Sequence, residues 1–216
     1  MSTLTSSPTV VDRPTTRTRR MLAAGLTAGP FLGVTWLVQG LVRDGYDFTR
    51  HPLSLLALGE GGWVQIGSFV ATGGQLLVCA AGLRRVLADG PGARWAPRLV
   101  AVVGGCLVAA GVFTADPGAG FPAGAPEGAP VLSWHGVLHE ISHLGVVAAW
   151  IALCFVLRTR FARQGDRGWA RACVAVVPVS LAVVAFPHLD SFPVRIVLAS
   201  LVQLGFIGLA ARRLGR

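Results

Sequence analysis

The sequence has little charge and no lysine. Only 13% of its 216 residues are charged, 53% are hydrophobic, and all 19 basic residues are arginine. Soluble domains carry about 25% charged residues, so this chain has too few to cover a water-facing surface. The arginines also do not gather in one soluble segment, which argues against nucleic acid as a partner. An ordinary soluble domain is therefore excluded.

The four cysteines lack any pattern that indicates chemistry. No two have CxxC spacing, and all lie within apolar segments. Neither a disulfide framework nor a zinc ribbon is indicated, and we expect them to pack as small apolar side chains. They are Cys79, Cys106, Cys154 and Cys173.

Long apolar segments stand where charge is missing. A helix needs about 20 apolar residues to cross a bilayer, and six segments approach that length without the alternation typical of barrel strands. We predict an all-α membrane protein in which residues 21–211 form one bundle of six transmembrane helices after a disordered cytoplasmic tail, residues 1–20. The predicted spans are 21–41, 63–83, 98–115, 134–157, 169–187 and 193–211.

The arginines alternate between the connections. Sixteen lie in the N-terminal tail, the second and fourth connections and the C-terminal segment, and three lie elsewhere: Arg43, Arg50 and Arg195. Arginine-rich loops stay in the cytoplasm. The pattern predicts six spans with both termini cytoplasmic and the lipid bilayer as partner, and it leaves protein partners and oligomeric state open.

The first outer connection contains an apolar stretch that is too short to span. It begins at His51-Pro52 and continues to Leu58. Proline is favoured in the first turn of a helix, so we predict a short interfacial or re-entrant helix here. His51 and Ser54 share one face of it and are candidates for a binding pocket.

The fourth span opens with a stripe of histidines. His135, His139 and His143 are spaced i, i+4 and i+8, which places them within about 80° on one helix face. Glu140 lies beside this stripe. Ionisable residues within a span are costly and indicate function by default.

All five histidines fall at the outer end of the predicted bundle. We therefore predict a pocket lined by histidine and aspartate near the extracytoplasmic face, which binds, senses or passes a small molecule or ion. Further candidates for this pocket are Asp116, His188 and Asp190.

The segment from His139 to His143 also matches HExxH, in which two histidines bind zinc and the glutamate activates water. Zinc or another transition metal would need a third ligand, and His135, Asp116 or His188 are candidates. Four alternatives stay open: a metal-dependent hydrolase with Glu140 as catalytic base, metal or ligand binding without hydrolysis, hydrogen bonding between helices alone, and proton or solute handling.

Several of these motifs resemble one family. The chain is similar, over residues 20–211, to bacterial six-helix membrane proteins catalogued as domain of unknown function nine-nine-eight. The resemblance implies a six-span fold in the plasma membrane and supplies no activity. Glu140 is not a hallmark of the family, which weighs against a zinc protease. The motifs are His51-Pro52-Leu53-Ser54 followed by Gly59 and Trp63, Asp116-Pro117 with Gly120-Phe121-Pro122, and His135-Gly136 with His139.

Overall fold

The computed structural model describes residues 14–186 and 191–216. Over these two ranges the chain forms six α-helices, one short 3₁₀ helix and no strand. The 3₁₀ helix, Leu53–Ala57, lies between the first two α-helices. The α-helices are α1 (Thr16–Val42), α2 (Gly62–Val86), α3 (Trp95–Val112), α4 (Trp134–Arg163), α5 (Arg167–Ala185) and α6 (Phe192–Leu214).

All six α-helices are long and apolar enough to cross a membrane, which confirms the prediction of an all-helical protein with six apolar helices. Some bounds differ from the prediction. Helix α1 begins at Thr16, within the segment expected to be disordered, because the Thr15 hydroxyl accepts a hydrogen bond from the backbone N–H of Thr18 and caps the helix. Helix α3 ends at Val112 and not at residue 115. Residues 1–13 of the predicted tail lie outside the described residues.

The helices form a closed ring in chain order. Each α-helix packs against the next one along the chain, and α6 returns to pack against α1. The core includes the large buried side chains Trp150, Phe161 and Leu76. Short connections favour antiparallel neighbours between α2 and α3, α4 and α5, and α5 and α6, whereas two long connections, 43–61 and 113–133, join the other sequential pairs.

Glycine allows the closest helix contacts. A Cβ atom on Gly73 of α2 would lie 2.5 Å from the backbone oxygen of Gly104 on α3, so no larger residue fits there. The adjacent Gly74 and Gly105 have open space around them. Small residues let helix backbones approach within a membrane, and here one member of each glycine pair does so.

Helix α5 is the most loosely held member of the ring. Only 11% of its apolar window is buried, against 56% for α6, and its buried residues are Cys173 and Ser180. Most of its side chains therefore face outward, where a membrane protein meets lipid.

The two ends of the bundle differ in chemistry. One end carries the 3₁₀ helix and the connections 43–61 and 113–133, and we call it the histidine end. The opposite end carries the N-terminus of α1 and the arginine-rich ends of α2, α4 and α6, and we call it the arginine end. The described candidate site residues all belong to the histidine end.

Candidate functional site

His51 joins the two long connections of the histidine end. Its ring is buried, its Nδ1 accepts a hydrogen bond from the backbone N–H of Asp47 at 2.8 Å, and its Nε2 lies 3.0 Å from the carbonyl oxygen of Ala119. The first contact makes Nδ1 an acceptor, so Nε2 carries the proton and donates it to Ala119. Nδ1 thus fixes the ring within the first connection, and Nε2 joins it to the second.

An aromatic cluster surrounds His51. The Tyr46 hydroxyl donates to the carbonyl oxygen of His51 at 2.8 Å and accepts from the indole N–H of Trp36 at 3.2 Å. Burial raises the pKa of Tyr46 to about 12, so the phenol stays protonated and keeps donating. The Phe121 ring packs against both Tyr46 and His51. This group, which we call the loop cluster (Trp36, Tyr46, His51 and Phe121), is a structural joint.

Asp116 holds the start of α4. Its two carboxylate oxygens accept from the backbone N–H and the hydroxyl of Ser133, each at 2.7 Å. Burial of this carboxyl acts to raise its pKa, but the two hydrogen bonds from Ser133 and the nearby His135 bring the pKa below its ordinary value. A Cβ atom on Gly136 would overlap this carboxylate. The glycine is therefore needed for Asp116 to reach the helix N-terminus, where negative charge is favoured.

His135 belongs to the same joint. Its Nδ1–H donates to the carbonyl oxygen of Thr114 at 3.0 Å, and its Nε2 lies 3.8 Å from a carboxylate oxygen of Asp116. These contacts face the connection between α3 and α4. His135 is not among the residues lining the cavities described below.

His139 is buried and binds the end of α3. Its Nδ1–H donates to the carbonyl oxygens of Ala110 and Phe113, at 3.1 and 2.9 Å. These carbonyls belong to the last turn of a helix and lack intrahelical partners. The bond fixes the tautomer, so Nε2 is left as an acceptor.

A cavity of about 290 Å³ lies inside the ring at the histidine end. We call it the inner cavity. Its walls come from all the α-helices except α5, and they are mostly apolar. His139, Glu140 and His143 line it from α4, Ser54 closes it from the 3₁₀ helix, and Gln203 faces it from α6. The predicted α4 residues thus meet in one cavity, apart from His135.

Glu140 and His143 differ from the other polar residues at this end. Across residues 14–186 and 191–216, neither side chain has a hydrogen bond or an ion pair. Glu140 is exposed and His143 is partly exposed. Their free polar atoms border a largely apolar space, which is the arrangement found in small-molecule sites.

A second, wider cavity of about 830 Å³ adjoins the inner one, and we call it the outer vestibule. The two cavities share the lining residues Ser54 and Glu140. The ion pair between Arg50 and Glu127 lies at the side of the vestibule and bridges the two long connections. Glu140 therefore stands where the vestibule meets the inner cavity.

The described residues do not assemble the predicted metal centre. Within the two described ranges, no group of three His, Cys, Asp or Glu side chains is placed to hold a metal ion. Two of the candidate third ligands, His135 and Asp116, bind Thr114 and Ser133 instead. The other candidate, His188, lies outside the described residues together with Asp190. The described candidates thus fall into two groups. His51, Asp116 and His135 connect loops and helix ends through hydrogen bonds, and the other described candidates line the inner cavity.

Helix α6 also contributes to the inner cavity. Gln203 donates to the Ser180 hydroxyl of α5 at 3.0 Å and lines the inner cavity together with Ser200. A glutamine within an apolar span is a sequence signal for such a role, whereas Ser200 has no comparable signal.

The comparisons with known proteins identify a family and no activity. The family model described as Protein of unknown function (DUF998) matches residues 26–213. The chain belongs to that family. Neither a search of curated proteins nor a search of solved structures gave a match. The function therefore has to be inferred from the side chains.

Proposed function

We propose that this member of the DUF998 family binds a small organic cation in the inner cavity, with the Glu140 carboxylate as the recognising charge. The protein would span a bacterial plasma membrane six times with both termini in the cytoplasm. The distribution of arginine supports this orientation, because sixteen of the 19 lie in the N-terminal tail, the second and fourth connections and the C-terminal segment, and positively charged segments stay inside. The cavity would then open to the outside.

The lining of the inner cavity supports this class of ligand. Glu140 is the only aspartate, glutamate or arginine among its described lining residues. The walls include the apolar side chains of Leu32, Phe69 and Leu107. An ammonium group with a short apolar chain matches both features, because the carboxylate accepts charged hydrogen bonds and the apolar chain leaves water.

One observation carries the proposal: within the described ranges Glu140 and His143 interact electrostatically with each other but make no hydrogen bond or ion pair, while the other described candidates are hydrogen-bonded, namely His51, Asp116, His135 and His139. Polar groups inside a membrane protein normally find partners. A carboxylate kept free beside a cavity is therefore best explained by a ligand that pairs with it.

The test uses n-hexylammonium as the probe. We expect it to raise the unfolding temperature of the detergent-purified protein, and n-hexanol at the same concentration to do so much less. Glu140→Gln should remove the difference between the two probes. Glu127→Gln is the matched control, because Glu127 is an acid at the same end that is paired with Arg50. Equal stabilisation of wild type and Glu140→Gln by n-hexylammonium would overturn the proposal.

A metal-dependent hydrolase is the second candidate, and one contact favours it. Histidines that bind metal usually donate their other ring N–H to a backbone carbonyl, and His139 donates to two. Metal analysis of the purified protein decides between the candidates. Near-stoichiometric zinc that disappears in the His139→Ala/His143→Ala double variant would establish the metal site that the hydrolase candidate requires, and an absence of metal from both proteins would reject that candidate.

A further inference from the structure

A groove at the arginine end faces lipid between α4 and α5. It has a volume of about 790 Å³ and lies at the opposite end of the bundle from the inner cavity. Three arginines line it: Arg158 from α4, and Arg167 and Arg171 from α5. The rest of its lining is apolar and includes Val174, Ala175 and Pro178.

The three arginines of the groove have no acidic partner. In the described part of the chain, none of them lies within 4.0 Å of a carboxylate. The only side-chain hydrogen bond among them runs from Nε of Arg171 to the backbone oxygen of Arg167, at 3.3 Å. The guanidinium groups are therefore free to bind an anion.

Two neighbouring charged side chains at the same end, Arg160 and Asp166, have partners within the protein. Arg160 donates to the backbone oxygens of Asp89 and Pro91, at 2.9 and 3.2 Å. The nearest acid along the chain, Asp166, pairs with Arg213 of α6 at 2.7 Å, and this pairing lowers the pKa of its carboxyl. The groove thus differs from these neighbours, where arginine is paired.

The apolar part of the groove runs into the bilayer. Val174 follows Arg171 by roughly one helical turn, and Pro178 follows it by roughly two, which places Pro178 about 10 Å from Arg171 along the helix axis. The groove therefore has cationic side chains at its mouth and an apolar wall beneath them. A phospholipid has the matching arrangement along the membrane normal, because its phosphate would meet the arginines and its acyl chains would meet the apolar wall.

The loose packing of α5 supplies the second reason. With 11% of its apolar window buried, this helix gains little from protein contacts. An acyl chain against Val174 and Ala175 would cover apolar surface that α4 leaves open.

We propose that the groove between α4 and α5 is a binding site for an anionic phospholipid, with the phosphate held by Arg158, Arg167 and Arg171. This site is separate from the inner cavity and does not depend on the function proposed for it. Arginine suits the role because its planar fork binds phosphate oxygens in pairs.

Native mass spectrometry of the purified protein measures the lipid directly. The protein is incubated in mild detergent with equal amounts of phosphatidylglycerol and phosphatidylcholine. We expect phosphatidylglycerol to be retained preferentially. Its retention should fall by about tenfold in the triple variant Arg158→Gln/Arg167→Gln/Arg171→Gln, because each arginine near an anionic lipid contributes a share of the attraction. The matched control is Arg84→Gln/Arg85→Gln/Arg94→Gln, which removes the same charge from the last turn of α2 and its connection to α3.

A second variant keeps the charge and fills the groove. Ala175 is exposed, so Ala175→Phe should fold, and we expect it to lose phosphatidylglycerol while all 19 arginines remain. The proposal is overturned if the two triple variants lose the lipid equally, or if Ala175→Phe retains it fully. Displacement of phosphatidylglycerol by millimolar inorganic phosphate would also overturn it, since the site would then recognise free phosphate.

Discussion

The loop cluster and the inner cavity lie at the same end of the bundle, and each contains a histidine. In the loop cluster, His51 uses both ring nitrogens and Tyr46 both donates and accepts. In the inner cavity, His139 and Gln203 are hydrogen-bonded, but His143 and Glu140 have no hydrogen bond within the described ranges. The two regions thus use their polar groups differently.

This difference separates a structural polar group from a functional one. Where both partners of a hydrogen bond come from the protein, removing either one strands the other and costs stability. Where the partner is missing from the protein, removal should cost little stability and much binding. Each prediction below tests that separation, in order of the expected effect on stability.

The largest effect is expected for His51→Ala. The substitution strands the backbone N–H of Asp47 and the carbonyl oxygen of Ala119, which should lower the free energy of unfolding by about 3 kcal/mol. Thermal unfolding in detergent measures it. His143→Ala is the matched control and should cost less than about 1 kcal/mol. Equal losses for the two variants would remove the distinction between the regions.

Gly136→Ala should have the next largest effect. The added methyl group overlaps the Asp116 carboxylate, and forced overpacking costs about 1–3 kcal/mol. Gly74→Ala, where a Cβ atom meets open space, should instead be neutral or slightly stabilising because alanine favours helix more than glycine does. If both variants unfold at the wild-type temperature, Asp116 does not hold the start of α4 in the way described.

Acid should weaken the joint at Asp116. The folded-state pKa of this carboxyl is below its ordinary value, so its contribution to stability is present above the unfolded pKa of about 4 and is lost as the pH falls through the folded value. We expect a loss of about 1 kcal/mol, because hydrogen bonds to a charged group contribute on that order. Unfolding temperatures between pH 7 and pH 3 measure it. Asp116→Asn should lose less stability over this range than wild type, and an unchanged pH profile would contradict the assignment.

The smallest effect on stability is expected for Glu140→Gln. Because no described residue pairs with this carboxylate, the free energy of unfolding should change by less than about 0.5 kcal/mol, while the preference for n-hexylammonium over n-hexanol disappears. A large loss of stability in this variant would mean that Glu140 has a structural partner and belongs with His51.

Much of the fold could be predicted from the sequence. The six helices follow from six apolar segments, and the largest errors lie at segment ends, as at Thr15, where a cap starts α1 early. The predicted short helix in the first connection is present as a 3₁₀ helix, with Leu56 completely buried. Whether it lies at the membrane interface remains a prediction.

The site could be predicted only in part. The i, i+4, i+8 spacing puts His139 and His143 on one helix face because helix periodicity is local, and both line the inner cavity. The same spacing also groups His135 with them, but in the structure His135 contacts Thr114 and Asp116 and does not line the cavity. One helix face about 80° wide touches more than one neighbour, and spacing does not reveal which.

The sequence by itself determined that this chain forms six apolar α-helices. The length of an apolar segment and the arginines that flank it are local properties, and they decide separately for each segment whether it can cross a bilayer. Only the tertiary structure decided which polar side chains are partners and which are left over. That decision depends on distances of about 3 Å between residues far apart in the chain, such as His51 and Ala119. Helix packing sets those distances, and no single segment encodes them.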